Sequence, residues 1–295
     1  MMMQRTRGRK TTLTRQQTIT GWWYLSFAVI VVVIFLFYPM VKGLIMSFQG
    51  SEGFSLRNYK RIFEDATLLK AVENTVFYVV VELCIMLPLA LVMAAVLQQK
   101  NLKFRGLFRT LLFIPCVMAL MSYATVFKIM FGNYGLINSL LQSLGIMKTP
   151  YEFLTSKAGA VFVVSLCLVW RWAGYNMVFY CTGFSNIDPT IYEAASIDGA
   201  SGVQSFFRIT VPLLRPVILL TMIMSVNGTL QVMDEIFQLT KGGPANNTLT
   251  IALYIYNTAF GSIPKFGYAC AESFMLLIAI ALLTALQLKV GDRRE

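Results

Sequence analysis

The chain has no histidine and few acids: its 295 residues include 14 Asp or Glu against 25 Lys or Arg. Without imidazole there is no Ser-His-Asp triad, no histidine proton relay and no histidine-containing zinc site. The five cysteines, Cys84, Cys116, Cys167, Cys181 and Cys270, form no C-x-x-C pair. All lie in or beside apolar runs, where a thiol serves as a packing residue. A G-x-x-x-x-G-K-[ST] loop is also missing, so the chain does not hydrolyse ATP by the phosphate-loop route. Nor is there a D-D-x-x-D cluster of the kind that holds magnesium. Asp234-Glu235 is the only adjacent acidic pair within the apolar runs, and two acids alone are a weak metal signal. These absences leave little room for a membrane-embedded enzyme.

What remains is apolar. Hydrophobic residues make up 57% of the chain and charged ones 13%, about half the share of a soluble domain. A net charge of +11 would suggest nucleic acid in a soluble protein. Here the positives flank apolar runs and read as orientation signals for a bilayer.

Six runs meet the roughly 20 residues that a bilayer requires: about Gly21 to Phe48, Ala71 to Leu97, Leu111 to Phe131, Gly159 to Phe184, Pro216 to Leu239 and Phe266 to Leu288. The expected fold is therefore an all-α membrane protein with six transmembrane helices. The first run opens with Trp22, Trp23 and Tyr24 at interface depth. It is too long for a secretory signal and lacks a cleavage site; Pro39 is expected to kink it. Between the first two runs, Phe54, Tyr59, Ile62 and Phe63 suit a segment lying along the membrane surface. A short helix is expected at Leu136 to Leu144. No repeat or second soluble domain is evident. The organisation read here is a basic tail at 1–20, a membrane domain at 21–289 with a loop at about 185–215, and a short tail at 290–295.

Charge sets the orientation. Arg5, Arg7, Arg9, Lys10 and Arg15 precede the first run, and Lys100, Lys103, Arg105 and Arg109 follow the second. Together with Arg208 and Arg215 in the loop and Lys289, Arg293 and Arg294 at the end, they outnumber the positives of the opposite loops. Both termini and the 185–215 loop are thus expected in the cytoplasm.

That loop contains two short helices. Asp188 caps the first and Pro189 suits its first turn; Gly199 stops it. Ser201-Gly202-Val203-Gln204 has the S-x-x-Q form of a capping box and starts the second. Pro212 and Pro216 are expected to end that helix and open the next run. The product is a bent knuckle rather than a tether. Its residues Glu193, Ala194, Ala195, Gly199, Ile209, Val211 and Pro212 resemble the E-A-A-x-x-x-G and I-x-L-P signature of type I ABC importer permeases, most closely the carbohydrate-uptake branch. Thr240 to Thr250, with Gly242-Gly243-Pro244, resembles an outer loop of the same sugar permeases.

The resemblance implies a division of labour. Glu193, Ala194, Ala195, Asp198, Gly199 and Ala200 would couple to a cytoplasmic ATPase, and Gly242, Gly243 and Pro244 would face an extracytoplasmic solute-binding protein. Sugar contacts carry over onto Trp172, Tyr175, Ser225, Thr229 and Val232. Arg171 joins them as an ionisable residue inside a run, along with Glu82, Asp234 and Glu235. Lys42, Lys128 and Glu272 lie near enough to run ends to snorkel. Helical spacing puts Leu168, Arg171, Trp172 and Tyr175 on one face, and Ser225, Gly228, Thr229 and Val232 on another. Trp172 stands where maltose permeases have a small residue, and Thr229 and Val232 where they have amides.

The implied partners are a second permease, two ATP-binding subunits, the solute-binding protein and the lipid of a bacterial or archaeal cell (inner) membrane. No nucleic acid is implied. The chain itself would hold no cofactor, with ATP and Mg on the partner. Alternative readings are an ABC permease for another polar solute such as glycerol phosphate, or an ion-driven secondary transporter, which would show inverted repeats that this sequence lacks.

Overall fold

A computed structural model describes residues 15–50, 53–99 and 102–292. The basic residues Arg5, Arg7, Arg9, Lys10, Lys100, Arg293 and Arg294 lie outside them. The architecture is all-helical apart from a two-residue antiparallel pair, Gln49–Gly50 with Gly53–Phe54.

Among the described residues four helices are long and apolar enough to cross a membrane: Thr20–Ser47, Ala66–Leu97, Lys157–Ser185 and Phe266–Gly291. Two further pairs are bent, Arg105–Val117 with Leu120–Met130 by 97° and Gly202–Leu213 with Arg215–Leu230 by 70°. Counting each pair as one span gives six.

The third expected span is therefore broken. Pro115 lies inside its first half, Met118 and Ala119 are extended (ψ 142° and 134°), and a new helix starts at Leu120. The fifth span also stops early. Its helix ends at Leu230, and a separate helix, Asp234–Leu239, follows after Gln231–Met233. The Val232 carbonyl freed by this break accepts a hydrogen bond from the Thr250 hydroxyl at 2.8 Å. A short apolar helix, Ile251–Phe260, was not read from the sequence.

Three prolines share one accommodation. Pro39, Pro88 and Pro212 each sit two residues beyond a π-helical turn, at Val33–Phe37, Glu82–Met86 and Phe206–Thr210. In each, the residue just before the proline donates its N–H five residues back: Tyr38 to Val33, Leu87 to Glu82 and Val211 to Phe206. Proline has no N–H and its ring crowds the carbonyl four residues earlier. A widened turn absorbs both defects without ending the helix. So the first helix runs through Pro39 to Ser47, and Pro212 lies within Gly202–Leu213 rather than terminating it. The stop comes at Leu214, and Pro216 opens the next helix.

Lys157–Ser185 is the hub, with half of its most apolar window buried. Gly174 lets the Leu112 carbonyl approach so closely that a Cβ would collide with it, and a Cβ on Gly183 would meet Leu214 and Val217 at 2.7 and 3.1 Å. One core cluster joins Tyr78, Tyr123, Val164, Cys167, Ile236 and Leu253. A second joins Ala90, Ala94, Leu97, Met177 and Tyr180. The Tyr180 and Thr221 hydroxyls pair at 2.8 Å and tie the hub to Arg215–Leu230.

The N-terminal helix is the opposite case. None of its apolar window is buried, and Trp22, Trp23 and Tyr24 are 65–81% exposed. Its end, Tyr38–Ser47, packs on the last helix. In the following segment Phe54 and Phe63 are exposed, as surface anchors would be. Ile62 instead turns inward against Leu68, Ile251 and Tyr268, and Tyr59 bonds Ser47 at 2.7 Å. Glu272 does not snorkel, being only 2% exposed; it lies nearly two turns into a helix whose neighbours cover it. Lys42 and Lys128 remain exposed.

Candidate functional site

Three regions gather the residues singled out above, at different levels of the bundle. Ala66–Leu97 spans about 48 Å at 1.5 Å per residue and connects them. Near its start, Asn74 donates to the Asn246 and Leu249 carbonyls (2.7 and 2.9 Å). At its far end Gln98 donates to the Cys181 carbonyl beside the knuckle (3.1 Å).

Midway along the bundle lies a cavity of about 370 Å³. Arg171, Trp172, Tyr175, Ser225, Thr229 and Val232 all line it. Gly228 lines it too, whereas Leu168, on the same helical face as Arg171, turns into the core. Trp172 and Tyr175 meet edge to face (5.6 Å, 86°), a T-shaped aromatic pair in the lining. Arg171 stacks its guanidinium over Tyr123 and Trp172, at 4.7 and 5.2 Å from the ring centres. Its Nε and Nη1 have no hydrogen-bond partner among the described residues.

The cavity lining is also acidic. Glu82, Asp234 and Glu235 line the cavity. Glu82, on Ala66–Leu97, lies within hydrogen-bond distance of the Thr229 hydroxyl, which also approaches the Ser225 carbonyl at 2.8 Å. One hydroxyl proton serves both contacts, so Glu82 is only partly compensated. Asp234 and Glu235 form the first turn of Asp234–Leu239, where negative charge suits the helix dipole. No group of three acids, cysteines or histidines converges to hold a metal ion among the described residues.

At the knuckle, each local signal forms its bond. Asp188 accepts from the Thr190 N–H at 2.9 Å, which holds its carboxyl below the usual carboxylate range. Gly199 adopts φ +77°, and the Ala200 N–H returns to the Ala195 carbonyl at 2.9 Å, closing the helix as a Schellman motif. Ser201 and Gln204 complete the capping box (2.9 and 3.3 Å). Tyr192 and Thr210 pair their hydroxyls at 2.8 Å across the two helices. Ala195 is buried in this joint, while Glu193, Ala194, Asp198 and Gly199 are exposed and Ala200 is half-buried. Beside them Ile197, Val203 and Phe207 are 65–85% exposed. A cavity of about 900 Å³ separates the knuckle from the end of Ala66–Leu97.

The glycine-rich loop is held internally. Lys241, Gly242, Ala245 and Asn246 have positive φ, and Gly243-Pro244 is cis. Thr248 bonds the Thr240 hydroxyl (2.7 Å) and the Gly243 carbonyl (2.8 Å). Gly242 is buried; Gly243 and Pro244 are half-buried; Lys241, Ala245 and Asn246 are exposed.

Sequence reasoning missed the long-range partners. Asn74, a lone amide in an apolar run, is the clamp on this loop. Asp65 caps Ala66–Leu97 through the Thr67 and Leu68 N–H groups (3.1 and 3.2 Å) and accepts from Tyr254 and Tyr268 (2.8 and 3.0 Å). Burial pushes its carboxyl up, but the bonds from Tyr254, Leu68, Tyr268 and Thr67 together outweigh burial and hold it below the ordinary value.

Comparison with known proteins gives one consistent result. The family described as the binding-protein-dependent transport system inner membrane component matches residues 66–294. The lactose transport system permease protein LacF of Rhizobium radiobacter is 39% identical over 293 residues, covering 97% of this chain and 98% of that one. The arabinooligosaccharides transport system permease protein AraP of Bacillus subtilis is 32% identical, over 88% of this chain and 84% of its own. Among solved structures, a bacterial ABC transporter involved in import of the acidic polysaccharide alginate superposes with a TM-score of 0.86 at 21% identity, covering 95% of this chain and 97% of that one. With the two bent spans, the central cavity and the knuckle, this places the chain in the family of binding-protein-dependent transport system inner membrane components.

Proposed function

We propose that the chain is the permease subunit of an ATP-driven importer and forms the translocation path for a carbohydrate together with a second, related permease. The observation that carries this reading is the central cavity. Trp172 and Tyr175 supply an apolar ring face, while Ser225, Thr229, Arg171 and the acids supply partners for hydroxyls, the mixture by which protein sites hold polar ligands. The names of the relatives, transporters of lactose and arabinooligosaccharides, support a sugar over other solutes.

In this reading two ATPase subunits sit on the cytoplasmic side, hold ATP and Mg, and each receives a knuckle. Both termini share that side. The loop built on Gly242, Gly243 and Pro244 faces a solute-binding protein outside, presenting its exposed Lys241, Ala245 and Asn246. Exposed Ile197, Val203 and Phe207, flanked by Glu193 and Asp198, fit an interface with an apolar centre and a charged rim. A ligand or nucleotide moves an equilibrium only through contacts that differ between its two states. The knuckle must therefore transmit force without folding up, and its caps and Schellman closure provide that stiffness.

The test is import into proteoliposomes holding the complete transporter. Glu193→Lys changes an exposed side chain, and Gly199→Val places a branched residue at φ +77°, a conformation that costs about 1–2 kcal/mol. Both variants are expected to insert normally and to lose ATP-driven import. Import at the parental rate by both would overturn the coupling role.

A further inference from the structure

The cavity holds more charge than a sugar path requires. Three carboxylates, Glu82, Asp234 and Glu235, share it with one cation, Arg171. Glu82 and Glu235 are each 4% exposed and Arg171 is 8% exposed. Among the described residues no ion pair joins Arg171 to any of the three, the one salt bridge being Lys70 with Glu73. The acids do not converge as a metal site. Arg171 instead lies against the Tyr123 and Trp172 rings, with Nε and Nη1 shielded and unpartnered. Its charge is thus spread into an aromatic wall, while Asp234 stays exposed.

We infer that these carboxylates make the cavity selective for neutral glycans and exclude substrates that carry a carboxylate or phosphate. The inference rests on the carbohydrate-path reading above. Sugar hydroxyls donate as well as accept. Carboxylate oxygens take the donated protons, and the edge of the Arg171 guanidinium that lines the cavity serves the ring and hydroxyl oxygens. An anion would meet the same acids as like charges in a confined space, where solvent screens them poorly. Three acids against one arginine leave the lining with an acidic excess. A lone arginine in an apolar run suggests an anion site, but the acids folded around it reverse that reading. Asp234 and Glu235 are then the specificity-determining residues, and Trp172 the reporter beside them.

The test uses the permease–ATPase complex purified without its binding protein, so that only the membrane path discriminates. Tryptophan fluorescence is titrated with lactose and with two derivatives of matched shape, neutral lactobionamide and anionic lactobionate. Trp172→Phe identifies the share of the signal that arises in the cavity. Quenching by lactose and lactobionamide is expected, with lactobionate at least tenfold weaker at pH 7. In Asp234→Asn/Glu235→Gln the gap between amide and acid should shrink to less than threefold. Asp234→Asn alone, at an exposed position, should narrow it in part should the double variant not assemble. Equal affinities for amide and acid in the parent, or a gap unchanged by either variant, would overturn the inference and leave the sugar path standing. No Trp172-dependent quenching by either neutral compound would remove the sugar path itself, and the inference with it.

Discussion

In the knuckle, polar contacts are made between near neighbours in the chain: Asp188 with Thr190, Ser201 with Gln204, and at the widest Tyr192 with Thr210, 18 residues apart. In the cavity, Thr229 meets Glu82 across 147 residues, and Arg171 stacks on a tyrosine from a different helix. The knuckle keeps its shape through backbone bonds that form wherever the segment sits. The cavity exists only once five helices have packed. The two regions therefore have different vulnerabilities. A substitution in the knuckle frays one short helix. One in the cavity strands a buried polar group whose partner belongs to another element, and such a group loses its full desolvation energy.

Asp65 belongs to both classes and so separates them best. It caps its own helix and also takes hydroxyls from Tyr254 and Tyr268, 189 and 203 residues away. Asp65→Ala removes all four bonds and is expected to cost about 3 kcal/mol, of which about 1 is the cap. Asp65→Asn retains capping ability and should lose less. Because its folded carboxyl is held below the ordinary value, its contribution is complete above the unfolded pKa and is lost as pH falls through the folded one. Thermal midpoints in detergent between about pH 5 and 3 should thus drop more steeply in the parent than in Asp65→Asn. Parallel pH curves would mean that the tyrosine bonds do not depend on the charge.

Thr229→Val tests the long-range pair, together with the local contact of the same hydroxyl to the Ser225 carbonyl. It preserves shape and takes away the hydroxyl beside Glu82, so a cost of about 2 kcal/mol is expected. Replacing both partners, Thr229→Val with Glu82→Leu, should cost less than the two single changes summed, since no carboxylate is then left stranded. A coupling of about 0.5–3 kcal/mol would be normal for touching residues. Strict additivity would show that Glu82 has another partner in the assembled protein.

The same division explains what the sequence made legible. Asp188-Pro189, Gly199 and the S-x-x-Q at Ser201 predict bonds within a few residues, and all of them form. Helical spacing likewise put Leu168, Arg171, Trp172 and Tyr175 on one face and Ser225, Gly228, Thr229 and Val232 on another; all but Leu168 line one cavity, although Val232 lies beyond the helix end at Leu230. Spacing could not say which residues stand opposite, and Glu82 and Glu235 arrive there only through tertiary packing. Proline was misread for a different reason. A π-helical turn lets Pro39 and Pro212 pass inside helices, a geometry that depends on how much room the neighbours leave. Two extended residues, Met118 and Ala119, bend what hydropathy counts as one span. Ile251–Phe260 is too short to register as a span at all. Burial of Glu272 depends on helices distant in sequence, which its place near the start of a run cannot reveal.

The smallest expected effect probes the knuckle's own logic. Ser201→Ala deletes one half of the capping box, leaving the Gln204 N–H without its side-chain acceptor. A lost N-cap costs about 1 kcal/mol, and here the segment is exposed, so water re-solvates the freed N–H. The loss should stay local. Hydrogen exchange at residues 202–206 is expected to quicken about fivefold, the factor corresponding to that energy, while exchange around Glu82 and Thr229 is unchanged. If exchange at the cavity quickens as well, the two regions are one cooperative unit. The knuckle would then be coupled to the path through the hub helix rather than standing as an independently capped piece, and a push on it would reach the cavity without any change in its own shape.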